Sequence, residues 1–291
     1  MRADLLRCPV CGGGLEPDVQ GHCLRCESGH SFDIARQGYV SLVRGTKSRP
    51  LGDTAAMVQA RKSFLDSGHF APIAAELVRQ VRQCVDRQRP AGGDGVALEH
   101  DQSDGVVMAD LGGGTGWYSA QVLDELPELE GVLLDASAAA AKIAARAHPR
   151  LTVATADLWQ PIPVSSSSCD VVMIVFAPRN PLEIARILRP GGICLVVAPR
   201  PDHLQELRQV VPLLAIDPAK ESRLEEQFSG FAARTTCLTY TRLFTRSQAS
   251  DAIAMGPNAF HLTPEDISRL TSDFVPQHVT ISVTVHRFTK R

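Results

Sequence analysis

The chain has 291 residues, 44% of them hydrophobic, and a formal net charge of −2. That length suits one large domain, or a domain with a small appendage, and supports a substantial core. The near-neutral balance excludes a chain that holds nucleic acid by bulk positive charge, so such a partner would have to be met by a local patch. The N-terminus lacks the apolar segment of a signal peptide, and the longest apolar run, VVMIVFA at 171–177, is too short to span a bilayer. Cys84, Cys169, Cys194 and Cys237 stand singly in apolar or amphipathic segments, as reduced, buried thiols do. The expectation is a cytoplasmic protein without a membrane partner.

Residues 8–30, CPVCGGGLEPDVQGHCLRCESGH, hold four of the eight cysteines. Cys8-x2-Cys11 is half of a zinc ribbon. By spacing alone two second halves serve equally: Cys23-x2-Cys26, or Cys26-x3-His30. A segment this short cannot build a sufficient core, so a structural Zn2+ would supply its folding energy.

Residues 34–62 carry six basic side chains (Arg36, Arg44, Lys47, Arg49, Arg61, Lys62) against one acid, Asp53. ARQGYVSLVRGTKSRPLG reads as strand plus linker. AAMVQARKSFLDSGHF has helical spacing and stops at Gly68, and IAAELVRQVRQCV is a second helix. PAGGDGVALEHDQSDG, at 90–105, reads as a surface loop.

From there strands alternate with helices. VVMAD (106–110), GVLLD (131–135), LTVATAD (151–157), CDVVMIVFA (169–177) and GGICLVVAP (191–199) are strands. WYSAQVLDEL, AAAAKIAARA, PLEIARIL and HLQELRQVV are the helices between and after them. The alternation predicts an α/β fold with a parallel sheet buried on both faces. AARTTCLTYTRLF and HVTISVTVHRF alternate apolar and polar residues, as half-exposed strands do, with the helix PEDISRLT between them.

ADLGGGTGW at 109–117 follows the first strand of this series and opens a helix, giving Asp110-x-Gly112-x-Gly114-x-Gly116. Open α/β sheets bind ligands at this end of the strands. Asp135 ends the second strand, where a carboxylate takes both hydroxyls of a ribose. Asp157 ends the third, where it accepts from an adenine amino group. Dinucleotide folds prefer G-x-G-x-x-G with phosphates on the helix N-terminus. Here the spacing differs, and no basic residue stands near the turn in the sequence. Acids without a phosphate clamp suit a cationic, phosphate-free nucleoside such as S-adenosylmethionine. LRPGG at 188–192 resembles the helix-to-strand turn of class I methyltransferases, and the last strand resembles their antiparallel seventh strand.

CPVC, CESGHSFDIARQGYVSL, GDTAAMVQARKSFLDSGHFAPI, the glycine turn, APRNP, LRPGG and P-x-x-HL-x-EL together resemble the RlmA-type 23S ribosomal RNA guanine-N1 methyltransferases, nearly end to end. DLGGGTG, FAPRNP and AMGP lean toward the actinomycete tylosin-resistance (TlrB) branch; Val175 departs from it, standing where that branch has asparagine. The resemblance implies a class I Rossmann-like domain at 73–291 and a zinc module at 1–34, joined by a basic linker and helix at 35–72. It implies that Cys8, Cys11, Cys26 and His30 bind zinc, with Cys23 outside the set. It further implies that Phe70 and His203 line the donor pocket with Gly112, Gly114, Thr115 and Gly116; Asp110, Asp135, Asp157 and Leu158 complete the expected cofactor set. The expected substrate is a guanine in a 23S rRNA hairpin loop in domain II, near the peptide exit tunnel, and the expected outcome macrolide resistance. Loop bases are accessible in a way that the deep A-form groove is not.

Guanine N1 must lose a proton, and the Ala177-Pro178-Arg179-Asn180 loop has no carboxylate in its first turn; Glu183 comes later. Arg179 is expected to stabilise the charge on O6 and Asn180 to hold the base edge. Arg36, Tyr39, Arg44, Lys47, Arg49, Arg61 and Lys62 are the expected RNA contacts, since phosphates demand positive charge. The family implies a homodimer. The competing readings are a methyltransferase of a small molecule, such as a quinone or polyketide, and a non-enzymatic zinc-ribbon RNA-binding protein.

Overall fold

The computed structural model describes residues 1–43, 52–88, 105–209, 211 and 220–291. Arg44, Lys47, Arg49 and nearly all of the 90–105 loop lie outside them. Three short strands, β1 (Glu16–Pro17), β2 (Cys23–Arg25) and β3 (Ser31–Asp33), form an antiparallel sheet around the cysteine cluster. β4 (Tyr39–Ser41) then pairs in parallel with β7 (Leu151–Thr155), adding a strand to the large sheet.

That sheet has eight strands. Its centre is β5 (Val106–Leu111), flanked by β6 (Leu129–Asp135) and β8 (Cys169–Val175). Beyond β8 come β9 (Leu188–Pro199), β11 (Gln277–Lys290) and β10 (Phe231–Phe244), giving the order β10-β11-β9-β8-β5-β6-β7-β4. β11 runs antiparallel between β9 and β10. The strand sequence reverses direction at β5, which opens the ligand-binding crevice above the strand ends.

Two cores cover the two faces. Along β8, Val171, Met173 and Val175 face the first, with α2 (Ala71–Gln88) and α3 (Trp117–Glu125). Val172 and Ile174 face the second. This is the period-2 alternation of a strand buried on both sides. The zinc module docks on the second face. Leu5, Leu6, Leu15 and Leu24 share a core there with Ile162 and Val164. Arg7 N–H donates to Pro163 O at 3.0 Å and Ser165 N–H to Leu5 O at 3.0 Å.

α1 (Ala55–Asp66) is capped by Thr54, whose hydroxyl accepts from Met57 N–H, and Gly68 follows it in the left-handed region at φ +76°. α4 (Ala138–Ala144) and α5 (Pro181–Ile187) fall where expected, capped by Ser137 and Asn180. α6 (Lys220–Gln227) precedes β10. α7 (Arg246–Ala254), for which no expectation was formed, and α8 (Pro264–Leu270) both begin with capping boxes.

Three expectations need correction. HLQELRQVV forms only a 3-10 helix over Gln205–Gln209, because Leu204 sits at φ +53° and interrupts an α-helical start. LRPGG is not a turn ahead of the strand. It lies inside β9 as a bulge, with Gly191 at φ +77°: Cys169 pairs with Leu188 but Val171 with Ile193. HVTISVTVHRF is not half-exposed. Beyond His278 its polar residues are buried under neighbours, with Thr280 donating to Glu206 and the Ser282 hydroxyl 3.0 Å from that of Thr239.

Candidate methyl-donor and zinc sites

The ligand atoms of Cys8, Cys11, Cys26 and His30 lie within 4.8 Å of one another. Cys11 Sγ to Cys26 Sγ is 3.7 Å, Cys8 Sγ to His30 Nδ1 3.6 Å, and Cys26 Sγ to His30 Nδ1 3.3 Å. A zinc tetrahedron with Zn–S of about 2.3 Å and Zn–N of about 2.0 Å has edges of roughly 3.8 Å between sulfurs and 3.5 Å from sulfur to nitrogen. The four groups therefore fit a structural Zn2+ with every position filled. Cys23 is buried outside the cluster, and Arg25 Nε donates to its sulfur at 3.4 Å. Cys11 is exposed, and the Gly13 N–H, the largest influence on its thiol, brings it down to about 6.

A cavity of about 430 Å3 opens above the ends of the central strands. Asp157 and Leu158 line it beyond β7, Asp135 at the end of β6, Gly112–Gly114 after β5, and Val175 at the end of β8 with Phe176–Pro178 after it. Phe70, Tyr118, Asp110, Asp53 and Arg61 also line it. At Gly112, φ is +75° and an added Cβ would stand 2.5 Å from the Ala177 Cβ. Only glycine permits both the conformation and that approach.

Asp110 is buried. Its Oδ2 accepts from Ser119 Oγ at 2.6 Å, while Oδ1 has no partner among the described residues. Burial raises its carboxyl to about 7, with Asp135 adding to the effect. Asp135 is also raised by burial, although Ser137 N–H and Gly114 N–H donate to it at 2.8 and 2.9 Å. The buried Tyr118 hydroxyl also has no partner among the described residues. Four acidic side chains thus line the cavity against one guanidinium, Arg61, with Asp110 only partly ionised near pH 7. A cationic nucleoside would offset that imbalance and could give those atoms a partner, so the residues fit S-adenosylmethionine.

Arg61 requires a correction. It is not separated from the glycine turn, as the sequence order implied. It ion-pairs with Asp53, donates to Met255 O at 2.8 Å and lies over Gly114. Other expected residues stand back from the cavity. Gly116, at φ +76°, starts α3 and lets it pack on Ala144 and Ala147; Thr115 is buried beside it. His203 is buried and meets the Phe70 ring at 5.9 Å. Its Nδ1 accepts from Ser282 N–H at 3.2 Å, and burial lowers its pKa to about 4, so the ring is neutral near pH 7 with its proton on Nε2.

Asn180 Oδ1 caps α5 by accepting from Glu183 N–H at 3.4 Å. Arg179 is half-buried and its Nε donates to Gln227 at 3.3 Å; desolvation lowers its pKa. Glu183 is committed elsewhere. Burial opposes its charge, but Arg186 and the Ile162 N–H outweigh burial and keep its pKa low. Arg36 is exposed, Tyr39 packs half-buried against the first core, and Lys62 pairs with Asp66. Sequence reading missed Tyr118, Trp159 and Phe176 as cavity walls; the run VFAP ending a buried strand was the available signal for Phe176.

Residues 6–47 match the family described as RlmA, N-terminal, a zinc ribbon, and residues 108–192 match a methyltransferase domain. The chain is 43% identical to the 23S rRNA (guanine(748)-N(1))-methyltransferase of Streptomyces fradiae, over 96% of this chain and 94% of that one. The chain belongs to the RlmA-type 23S rRNA guanine-N1 methyltransferases. It is also 42% identical, over 99% of both chains, to a Micromonospora griseorubida protein whose name proposes a 23S rRNA (guanine-N(1)-)-methyltransferase. The RlmA zinc-ribbon match spans all four clustered ligands, and the methyltransferase match spans the glycine turn and the loop carrying Phe176. Among the described residues, no helix is long and apolar enough to cross a membrane.

Proposed function

We propose that this chain transfers the methyl group of S-adenosylmethionine to N1 of a guanine in a 23S rRNA hairpin loop, in the cytoplasm. The proposed loop lies in domain II near the peptide exit tunnel, and the modification lowers macrolide binding. The observation that carries this reading is 43% identity to the Streptomyces fradiae relative over 96% of the chain, in a protein that has both the four-ligand cluster and the acidic donor cavity.

When bound, S-adenosylmethionine would supply an electrophilic methyl on its sulfonium, the carbon bonding to N1 as the C–S electron pair stays on sulfur and the N1 proton passes to solvent water. Asp135 would hold its ribose and Asp157 its adenine, while the glycine turn would let it approach backbone. No uncommitted carboxylate stands on the loop after β8, so the charge that collects on guanine O6 is met by the Arg179 guanidinium. Its Nε is held by Gln227, which leaves the terminal nitrogens to face the base. The Asn180 oxygen is used in capping α5, which leaves its amide N–H groups for the base edge. Arg179→Ala is expected to abolish turnover while donor binding stays intact, and unchanged turnover refutes the role. Arg36, Lys62 and the zinc module border the proposed RNA cleft, and the working form is a homodimer.

The test is primer extension on 23S rRNA, with and without the protein. N1 lies on the Watson–Crick edge, so its methylation blocks reverse transcription. A donor-dependent stop at one loop guanine supports the reading; no stop anywhere refutes it.

A further inference from the structure

Phe176 is a bulky residue at φ +55°, a conformation that is a genuine outlier for such a side chain. The other positive-φ residues besides glycine, among those described, are Ser167 and Leu204. Leu204 adjoins His203, whose ring lies 5.7 Å from that of Phe176. Phe70 completes a triangle, 5.9 Å from each. Two of the three strained residues thus border one aromatic cluster, and such strain collects where function requires it.

The left-handed turn has a geometric consequence. Val175 faces the first core and Ile174 the second, so regular continuation of β8 would send Phe176 to the second face. Instead the ring turns toward Phe70, a residue of the first core. The Phe176 N–H donates to Val197 O at 3.1 Å, which fixes the turn. The ring lines the donor cavity yet is 40% exposed. An aromatic residue is thus held at a backbone cost, partly bare, at the edge of the cavity.

We infer that Phe176 is the platform on which the target guanine stacks beside the donor methyl. This rests on the guanine-N1 reading above and adds a base-binding subsite to it. The donor's own base is not the occupant: Asp157 stands above β7, three strand spacings or roughly 14 Å from β8 along the sheet. What remains at the β8 end is a neutral ring face, since His203 is uncharged, and that suits a flat nucleobase. Stacking tolerates any base, so Phe176 positions the guanine while polar groups on the same loop select it.

Phe176→Gly removes the ring and suits the left-handed backbone, so the loop keeps its course. Phe176→Tyr restores the ring. With the 23S rRNA transcript as substrate, Phe176→Gly is expected to lower kcat/KM about 10- to 100-fold, the range for one lost base–aromatic stack. Calorimetric affinity for S-adenosylhomocysteine stays near wild type, and Phe176→Tyr recovers the rate. With 2-aminopurine at the guanine marked by the primer-extension stop, wild type and Phe176→Tyr quench the probe and Phe176→Gly does not. Unchanged kcat/KM or unchanged quenching in Phe176→Gly overturns the inference. So does a fall in S-adenosylhomocysteine affinity matching the fall in kcat/KM, which would assign the ring to the donor. No stop with wild type overturns the guanine-N1 reading itself, and the inference with it.

Discussion

Gly112→Ala tests whether the donor cavity depends on a close approach or only on a flexible turn. Two costs act at this position. Alanine at φ +75° is strained by about 1–2 kcal/mol. The new Cβ would also stand 2.5 Å from the Ala177 Cβ, against a normal carbon–carbon contact of about 3.5–4.0 Å. Ala177 must yield by about 1 Å, and overpacking of this kind costs about 1–3 kcal/mol. Ala177 adjoins Phe176 and Pro178, both cavity walls, so the displacement deforms the site. Gly68→Ala is the matched control. It has φ +76° but nothing within 4 Å of an added Cβ, so it bears the first cost alone. Urea denaturation should show Gly112→Ala losing about 2–5 kcal/mol and Gly68→Ala about 1–2 kcal/mol. Calorimetry with S-adenosylhomocysteine should show at least about a tenfold loss of affinity for Gly112→Ala, or about 1.4 kcal/mol, and none for Gly68→Ala. Equal destabilisation by the two variants, or wild-type donor affinity in Gly112→Ala, refutes the reasoning.

Three further predictions address other groups. Cys26→Ser and His30→Asn should each release zinc and destabilise the N-terminal module, while Cys23→Ser keeps one zinc per chain; metal analysis showing the reverse overturns the ligand set. Arg61→Met should weaken S-adenosylhomocysteine about tenfold but leave methylthioadenosine, which lacks the amino-acid carboxylate, unchanged; a change confined to the KM for RNA would return Arg61 to the RNA surface. The His203 pKa is lowered from 6.5 to about 4, so the unfolded chain takes up a proton first as pH falls, and stability drops between about 6.5 and 4. A shift of that size corresponds to about 3 kcal/mol, which His203→Gln should remove from the pH profile. The comparison must be against wild type, because Asp110, raised to about 7, runs the other way: its contribution is present below about 4 and lost as pH rises to 7. A profile identical in both chains would show that the ring titrates normally.

The alternation of strands and helices was legible because each segment carries its own period, and the turn and cap residues mark its ends. The zinc set was not legible from spacing: Cys23 and His30 stood level, and the three-dimensional cluster separates them. Tertiary proximity explains the main misses. Arg61 is far from Gly114 in sequence yet lies over it, because α1 folds back across the cavity. β11 reads as half-exposed because Thr280, Ser282 and Thr284 are polar. They are buried all the same, because a buried hydroxyl with a partner is tolerated where an unpaired one is not. The left-handed conformation of Phe176 leaves no local signature, since the residue type argues against it.

The division of labour between the two cores bears on why a metal module sits on this enzyme. Leu5 and Leu6 pack into the second core, and Ala177 packs against that same core. Phe176, one residue earlier, turns to the first core, where Phe70 and Val175 sit. The loop after β8 therefore crosses from one core to the other at the mouth of the donor cavity. The glycine turn rises between the strands, with the Gly114 N–H donating to Asp135 and the Ser119 hydroxyl to Asp110 just before it. Leu158, on the far wall of the cavity, packs in that second core as well, so the zinc module's side of the sheet backs both walls of the site.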